Sequence, residues 1–425
     1  MNPTPAHPRT LVGDLAGMDG ATVRLCGWAH AVAAGVITLR DHTGQVALVG
    51  GHHGSATVTR ESAIEAIGTV SRGAAGTTVA VAELRVLGPA LDPPPVDAAS
   101  PLAARLDHRH VDLRQPRNRL VFEVQTTAER AMRAWWADHG FLELHTPKFR
   151  ASPNRSGREL FSVDYFGRPA YLAQSPQFAK QMAMSAGFER VFEIGPVFRA
   201  NPLVTDRHDT EFVSVDVEVS WIGSHEDVMD IEERWLAHVV GEVAAAHGAD
   251  IERLFGRVVR VPETPFPRIT MAGALDILTG IGHVPAGPAG DIDAEGERLL
   301  CAHLAAEHGH ELVFVTEYPA AVRPFYHMRM EDGSDLTRSF DLLWNGLEVT
   351  TGAQREHRHD RLADQAGAGP GRRAAIAPYL DFFRHGCPPH GGYGLGLSRL
   401  LTRILGLDDV REATFLPRDR HRLSP

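Results

Sequence analysis

Two strand patterns separated by a long charged loop constrain this chain more than any other feature. Residues 190–197 form an apolar run, and residues 213–221 alternate between apolar and polar side chains, as a strand with one buried face does. The loop between them contains Arg199, Arg207 and His208. Because a guanidinium group can hold two anionic oxygens at once, these residues suit a polyphosphate. The segment therefore predicts an antiparallel strand pair whose connection binds phosphate groups.

Four other sequence motifs indicate one protein family. They are QSPQFAKQ at 174–181, RPFY at 323–326, EVTTGAQR at 348–355 and PPHGGYGLGLSR at 388–399. With the charged loop, they resemble the motifs of class II (subclass IIb) aminoacyl-tRNA synthetases, in the aspartyl/asparaginyl group of the short archaeal or eukaryotic type. The resemblance implies an α+β fold, with an N-terminal OB-type β-barrel and a class II synthetase catalytic domain built on an antiparallel sheet flanked by helices.

Length, charge and cysteine content set outer bounds on function. A chain of 425 residues can form two or three domains with a sizeable core. The net charge of -10 argues against a general nucleic-acid binder, so we expect no DNA partner, although a local basic patch can still meet RNA. Three distant cysteines have no metal-ligand spacing. Without an evident membrane span or signal peptide, we expect a cytoplasmic protein.

The N-terminal region has the pattern of a small barrel. Short strand patterns occur at 22–30, 36–40, 45–49 and 78–87, and a helix is predicted near 61–71. Strands around one helix favour a barrel of the OB type. In the resembled family this barrel binds the anticodon.

Proline-rich residues 89–100 separate this region from the rest of the chain. We therefore predict an OB-fold, anticodon-binding-like domain at 1–88, a linker at 89–120 and the catalytic domain at 121–425.

A helix is predicted over 121–139, because apolar residues recur at helical spacing and Gly140 comes directly after them. Residues 140–147 then resemble the first class II motif, which builds the dimer interface in the family. This resemblance implies a homodimer.

The resemblance assigns an ATP and magnesium site. It implies that the catalytic arginine Arg199 contacts the α-phosphate and that His208 and the catalytic Arg399 reach the outer phosphates. Phe212 would stack on adenine, and Arg207 belongs to the same ATP-binding set. The implied magnesium ligands are Asp341 and Glu348, and carboxylate oxygens are what this hard ion prefers.

The acid-binding pocket is assigned in the same way. In aspartate enzymes of the family a lysine and an arginine hold the side-chain carboxylate, and these correspond to Lys180 and Arg355. The other implied substrate contacts are Ser175, Gln177, Asp216 and Thr351. Two cations favour a second carboxylate on the substrate, so aspartate or a related dicarboxylic acid is expected.

The chain departs from the family pattern at four places. Arg155 takes the position of a glutamate in the mobile substrate loop, where it enters the predicted substrate-binding set. Asn201 and Ser398 each replace an acidic residue, and residues 31–35 form a shortened loop with neither an aromatic nor a basic side chain. Single-stranded RNA recognition depends on such side chains, so ordinary anticodon reading is not expected.

Three functions remain open from the sequence. The first is an aspartate-tRNA ligase that adenylates aspartate with ATP and magnesium and charges tRNA. The second is a paralogue that adenylates an altered acid or uses an acceptor other than tRNA. The third is a non-catalytic tRNA-binding or regulatory protein.

Overall fold

The computed structural model describes residues 7–33, 35–50, 58–74, 76–151, 160–202, 204–288, 290–367 and 370–424. The chain divides into two compact units, residues 1–116 and 117–425. This division does not report function, so the assignment of 1–88, 89–120 and 121–425 to separate tasks stays a prediction. In the described residues, no helix is long and apolar enough to span a bilayer.

The strands of the first unit are β1 (Thr22–Ala33), β2 (Val36–Arg40), β3 (Gln45–Val49), β4 (Ala63–Gly73) and β5 (Gly76–Gly88), followed by the short helices α1 (Leu102–Asp107) and α2 (Arg109–Asp112). The five strands close into a barrel in the order β1-β2-β3-β5-β4. Alternate side chains such as Leu25, Leu39 and Leu48 fill its interior and are fully buried.

The helix predicted near 61–71 is wrong. Residues 63–73 form β4, which pairs antiparallel with both β1 and β5. Ile64, Ala66 and Val70 point into the barrel core at period two. The local Glu and Ala content favours a helix only weakly, and two neighbouring strands with free hydrogen-bonding edges outweigh that preference.

The second unit is built on one eight-stranded sheet. Its strands follow the order β12-β13-β14-β15-β16-β11-β10-β6. The bounds are β6 (Leu142–Glu143), β10 (Arg190–Phe198), β11 (Glu211–Ser220), β12 (Arg268–Thr270), β13 (Leu312–Thr316), β14 (Ser339–Trp344), β15 (Leu347–Arg355) and β16 (His390–Gly396). A smaller sheet contains β7 (Phe149–Arg150), β8 (Ser162–Tyr165) and β9 (Arg168–Leu172).

The large sheet is mixed rather than wholly antiparallel. Its central strands are antiparallel, but β6 runs parallel to β10 and β12 runs parallel to β13 at the two edges. The predicted pairing of the two strands around the charged loop is confirmed, because β10 and β11 are antiparallel with Arg190 opposite Val219 and Phe198 opposite Glu211.

Helices pack on both faces of this sheet, and the main apolar core lies on one of them. The helices of the second unit are α3 (Pro116–Asp138), α4 (Gln177–Ser185), α5 (His225–Phe255), α6 (Met271–Gly280), α7 (Ala294–His308), α8 (His359–Ala366), α9 (Pro370–Asp381) and α10 (Leu397–Leu405). The predicted helix over 121–139 is confirmed as α3, which gives way to Gly140 at φ 75°. Its Trp136 stacks on Trp235 of α5, with ring centroids 5.0 Å apart, inside the main core.

The register of the sheet places polar residues on the opposite face. Asp341 pairs with Thr351, Thr351 with Gly394, Gly394 with Asp216, and Asp216 with Glu193. Because directly paired residues share a face, these side chains form a row across five strands. Gly394 leaves open space in the middle of that row.

Among the glycines of the central strands, Gly392 has the least space for a side chain. A Cβ at this position would lie 2.0 Å from the carbonyl oxygen of Val217 and 2.4 Å from Glu218 Oε2. We expect Gly392→Ala to lower the free energy of unfolding by about 3 kcal/mol, because backbone on β11 must shift. Urea unfolding followed by tryptophan fluorescence measures this change.

The matched control is Gly248→Ala in α5, where a new Cβ meets nothing within 4 Å. This change should be neutral or stabilise the protein by up to about 1 kcal/mol, because alanine favours a helix. Equal stability of both variants would contradict the packing argument for Gly392.

Candidate active site

A cavity of about 940 Å³ opens on the polar face of the large sheet. Eleven of the residues predicted for ATP, substrate or metal binding line it: Ser175, Gln177, Arg199, Arg207, His208, Phe212, Asp216, Glu348, Thr351, Arg355 and Arg399. Lys180 and Asp341 are not on its wall. Arg155 lies outside the described residues. The fold therefore brings together residues that are up to 224 positions apart in the sequence, from Ser175 to Arg399.

Arg399 is at the centre of the cationic part of the cavity. It follows the β16 strand on α10 and donates to the carbonyl oxygen of Glu348 at 2.8 Å and to Glu348 Oε1 at 3.3 Å. Its Nη2 is 3.2 Å from His208 Nε2. The loop between β10 and β11 and the first turn of α10 thus meet at one point, and positive charge collects there.

His208 is held in its neutral form. Burial, joined by the neighbouring charges of Arg399 and Arg199, lowers its pKa to about 4. Thr205 Oγ1 lies 2.8 Å from its Nδ1 and fixes the ring. A neutral imidazole beside two guanidinium groups can accept a hydrogen bond from one of them or donate one to an anionic ligand.

Arg199 lies where β10 ends, directly opposite the start of β11. Its guanidinium carbon is 5.2 Å from the centroid of the Phe212 ring, a distance at which cation and ring attract each other. Its backbone amide donates to the carbonyl of Thr210 and continues the strand pairing. The strand ends therefore present a cation and an aromatic face side by side.

Asp341 and Glu348 are the predicted magnesium ligands. Burial raises the pKa of Asp341 to about 6 although Arg323, whose Nη2 is 2.6 Å from Oδ2, opposes this rise. Burial also acts to raise the pKa of Glu348, but Arg399 and Arg323 outweigh it and hold that pKa below its usual value.

Two carboxylates are a donor set that magnesium uses together with a bound phosphate, although only Glu348 of the pair lines the cavity. Asp341 Oδ1 is buried and has no hydrogen-bond partner among the described residues. Those residues contain no group of three or more His, Cys, Asp or Glu side chains that could enclose a metal ion. Magnesium commonly takes one or two carboxylates and completes its shell with water and phosphate oxygens, so two carboxylates are enough.

Lys180 and Arg355 already form ion pairs with carboxylates of the protein. Lys180 Nζ is 3.0 Å from Asp216 Oδ1 and 3.4 Å from Glu218 Oε2, while Arg355 Nε is 3.1 Å from Glu218 Oε1. Two formal positive and two formal negative charges cancel. The charge count therefore does not by itself select a second carboxylate on a substrate. Arg355 lines the cavity whereas Lys180 does not, so Arg355 is the one of these two cations that a ligand can meet.

Sequence reasoning missed several residues of the site. Arg323 belongs to the RPFY motif, yet nothing in that motif indicated that it would bind Asp341. Glu218 lies two residues after Asp216 on β11, so the period-two pattern could have placed both side chains on the same face. Asp209 and His327 line the cavity without any local signal. Asn201 and Ser398, which depart from the family pattern, also line the cavity.

Comparisons with known proteins agree with this geometry. A family model described as tRNA synthetases class II (D, K and N) matches residues 102–420. The aspartate–tRNA(Asp/Asn) ligase of Methanopyrus kandleri is 42% identical over 430 residues, covering 96% of this chain and 97% of that protein. The ligase of the same name from Deinococcus radiodurans is 41% identical over 436 residues, covering 98% and 99% of the two chains.

A solved structure resembles the whole chain. The asparaginyl-tRNA synthetase from Pyrococcus horikoshii, complexed with asparaginyl-adenylate, superposes with a TM-score of 0.90 at 30% identity, covering 98% of this chain and 100% of that one. The mixed sheet flanked by helices, with its cationic cavity, is the class II synthetase fold. The chain belongs to the class II tRNA synthetases of the D, K and N group.

The buried His390 next to this site predicts a pH dependence of stability. Burial lowers its folded-state pKa to about 4, compared with about 6.5 in an unfolded chain. The unfolded state alone takes up this proton as the pH falls from 6.5 towards 4, so stability is lost in that window. Between pH 6.5 and 4.5, wild type should lose about 2 kcal/mol more than His390→Gln in urea unfolding.

His303→Gln is the control, because that ring lies on α7 and is 40% exposed. It should keep the wild-type pH slope. A His390→Gln slope equal to that of wild type would show that His390 does not titrate in this way.

Proposed function

We propose that this protein is an aspartate–tRNA ligase, which uses ATP and magnesium to convert aspartate to an acyl-adenylate and then transfers the aspartyl group to tRNA. The observation that carries this proposal is the convergence of Arg199, His208 and Arg399 in one cavity with the wall residue Arg355. Phosphate-binding and acid-binding groups in one cavity suit the activation of a carboxylic acid.

The first step needs positioning and charge rather than a base. A carboxylate oxygen of aspartate attacks the α-phosphorus, the bond from that phosphorus to the bridging oxygen breaks, and pyrophosphate leaves with the electron pair. The substrate carboxylate is itself the nucleophile. Arg199 is assigned to the α-phosphate, where negative charge develops, and Arg207, His208 and Arg399 to the outer phosphates. Fixed cations at these points stabilise the transition state more than the ground state.

Magnesium, when bound, would neutralise phosphate charge and orient the leaving pyrophosphate. Asp341 and Glu348 are the residues proposed to hold it. The unpartnered Oδ1 of Asp341 supports this assignment, since a buried acceptor without a partner is costly unless a ligand completes it.

Aspartate is the proposed acid. Arg355 would hold the side-chain carboxylate, and Lys180 would support it through their shared partner Glu218. Ser175, Gln177, Asp216 and Thr351 are proposed to complete the acid pocket. The names of the relatives that are 41–42% identical also support aspartate.

The proposed acceptor is tRNA, and the N-terminal barrel is proposed to be of the OB type. Its strand order and closure support this class. The β1–β2 hairpin is short, however, and its exposed flanking residues are Val32 and Val36 rather than aromatic or basic side chains. We therefore propose that the barrel contributes little to reading the anticodon. The two relatives are both named for tRNA(Asp/Asn), which fits a weak distinction between the two tRNAs.

The test is ATP–pyrophosphate exchange with aspartate, asparagine, glutamate and succinate, first without RNA and then as aminoacylation of tRNA(Asp) and tRNA(Asn). Exchange with aspartate and an RNA-dependent product would support the proposal. Exchange with a different acid, or transfer of the acyl group to an acceptor other than tRNA, would indicate the paralogue instead. No ATP turnover with any acid would indicate a binding protein.

Arg399→Ala should lower the exchange rate about 10²–10³-fold, because one fixed cation at the developing charge is lost. Arg253→Ala is the control, since Arg253 is exposed on α5 and pairs only with Asp250 among the ion pairs of the described residues. Circular dichroism checks that both variants fold. An unchanged rate in Arg399→Ala would remove Arg399 from the mechanism.

A homodimer is also proposed. Strand β6 is an edge of the large sheet, and Leu142 on it is 54% exposed, with Phe188 nearby 42% exposed. Analytical ultracentrifugation should give twice the chain mass of 46.3 kDa. Leu142→Asp should shift the protein to monomer, whereas Leu91→Asp, at an equally apolar and 90% exposed position elsewhere, should not. A monomeric wild type would contradict the proposal.

A further inference from the structure

We propose that Glu297 on α7 is a positioning residue that holds Arg207 in place for the outer phosphates of ATP. This inference rests on the proposed adenylation reaction and extends its site to a helix that no recognised motif contains. Glu297 would act through Arg207, without touching the nucleotide itself.

The contact between the two side chains is direct. Arg207 Nη1 donates to Glu297 Oε2 at 2.7 Å, and Arg207 Nη2 donates to the carbonyl oxygen of Gly346 at 3.1 Å. The side chain of Glu297 is 14% exposed and that of Arg207 is 26% exposed. A charge-assisted pair with so little solvent is more rigid than an exposed ion pair, which contributes little.

The partners of Arg207 are themselves fixed. Gly346 lies in the β14–β15 turn at φ 78°, and a Cβ there would come within 2.8 Å of Cα of Arg298, the residue after Glu297. The turn therefore packs directly on α7. Two residues after this turn is Glu348, which binds Arg399. Glu297 thus anchors the charged loop to a rigid corner formed by a helix and a turn.

Arg207 is also tied to the cation at the centre of the site. Its backbone carbonyl oxygen accepts a hydrogen bond from Arg399 Nε at 3.4 Å. A loop that shifted at Arg207 would therefore disturb the position of Arg399. Since small misplacements of positioning groups cost large factors in rate, one anchor for both arginines has a functional consequence.

Arg207 keeps the capacity to bind an anion. A guanidinium has five N–H donors, and the contacts to Glu297 and Gly346 use one on each terminal nitrogen. Three donors remain for phosphate oxygens.

The experiment compares Glu297→Ala and Glu297→Gln with wild type in ATP–pyrophosphate exchange with aspartate, and measures ATP affinity by calorimetry with magnesium present. We expect Glu297→Ala to raise KM and Kd for ATP about tenfold while KM for aspartate is unchanged, since one charge-assisted contact is lost at the nucleotide end only. Glu297→Gln keeps an acceptor oxygen and should recover most of the affinity for ATP.

Glu295→Ala is the matched control. Glu295 lies on the same helix two residues earlier and pairs with Arg298 at the surface. This variant removes the same charge from α7 without touching Arg207, so ATP affinity should not change.

A double-mutant cycle with Arg207→Ala guards against a folding defect. Once Arg207 is absent, removal of Glu297 should cost no further affinity for ATP. The inference is overturned if Glu297→Ala leaves ATP affinity at the wild-type value, if Glu297→Gln loses as much as Glu297→Ala, or if the cycle shows additive losses. Absence of exchange in wild type would instead reject the proposed reaction, and this outcome is distinct from the other three.

Discussion

Burial of charge on one face of a β-sheet is the constraint on which the rest of this structure depends. Lys180, Asp216, Glu218 and Arg355 are each 3% exposed or less, and they form a chain of ion pairs. Removing one partner from such a set leaves an uncompensated charge that costs several kcal/mol. The sheet register keeps the set together, because β11 and β15 carry three of the four members and β16 lies between them. The β16 residue Gly394 has no side chain, so the cavity stays open at the middle of the row.

The arginines around the β10–β11 loop are held in a different way from the buried ion pairs. Arg199, Arg207 and Arg399 all line the cavity, and each is fixed by contacts with an aromatic ring, a carboxylate or a carbonyl oxygen. Burial and these cations keep His208 neutral. Groups that are fixed before a ligand arrives need little reorganisation when charge develops on it. The same cavity therefore has a charge-balanced cluster of buried ion pairs beside a group of fixed cations.

The hydrophobic pattern of the sequence predicted the elements that have a clear local period. It failed where the neighbouring strands determine the secondary structure. The β10–β11 pair and α3 have clear periods of two and about 3.6 residues, and both are confirmed. Residues 63–73 have a weak helical preference, yet they form β4 because β1 and β5 supply two hydrogen-bonding edges. The parallel edge strands β6 and β12 are two and three residues long, too short for any period to be read.

Recognised motifs determined most of the candidate site and its family from the sequence alone. Eleven of its fourteen predicted side chains line one cavity, where the fold brings together the strand ends and helix starts that carry the motifs. Only the tertiary structure decided which charges compensate each other. Glu218 bridges Lys180 and Arg355, Arg323 binds Asp341, and Glu297 holds Arg207 from 90 positions away. No local pattern encodes such pairs, because their energy depends on burial and on distances between elements that meet only after the chain has folded.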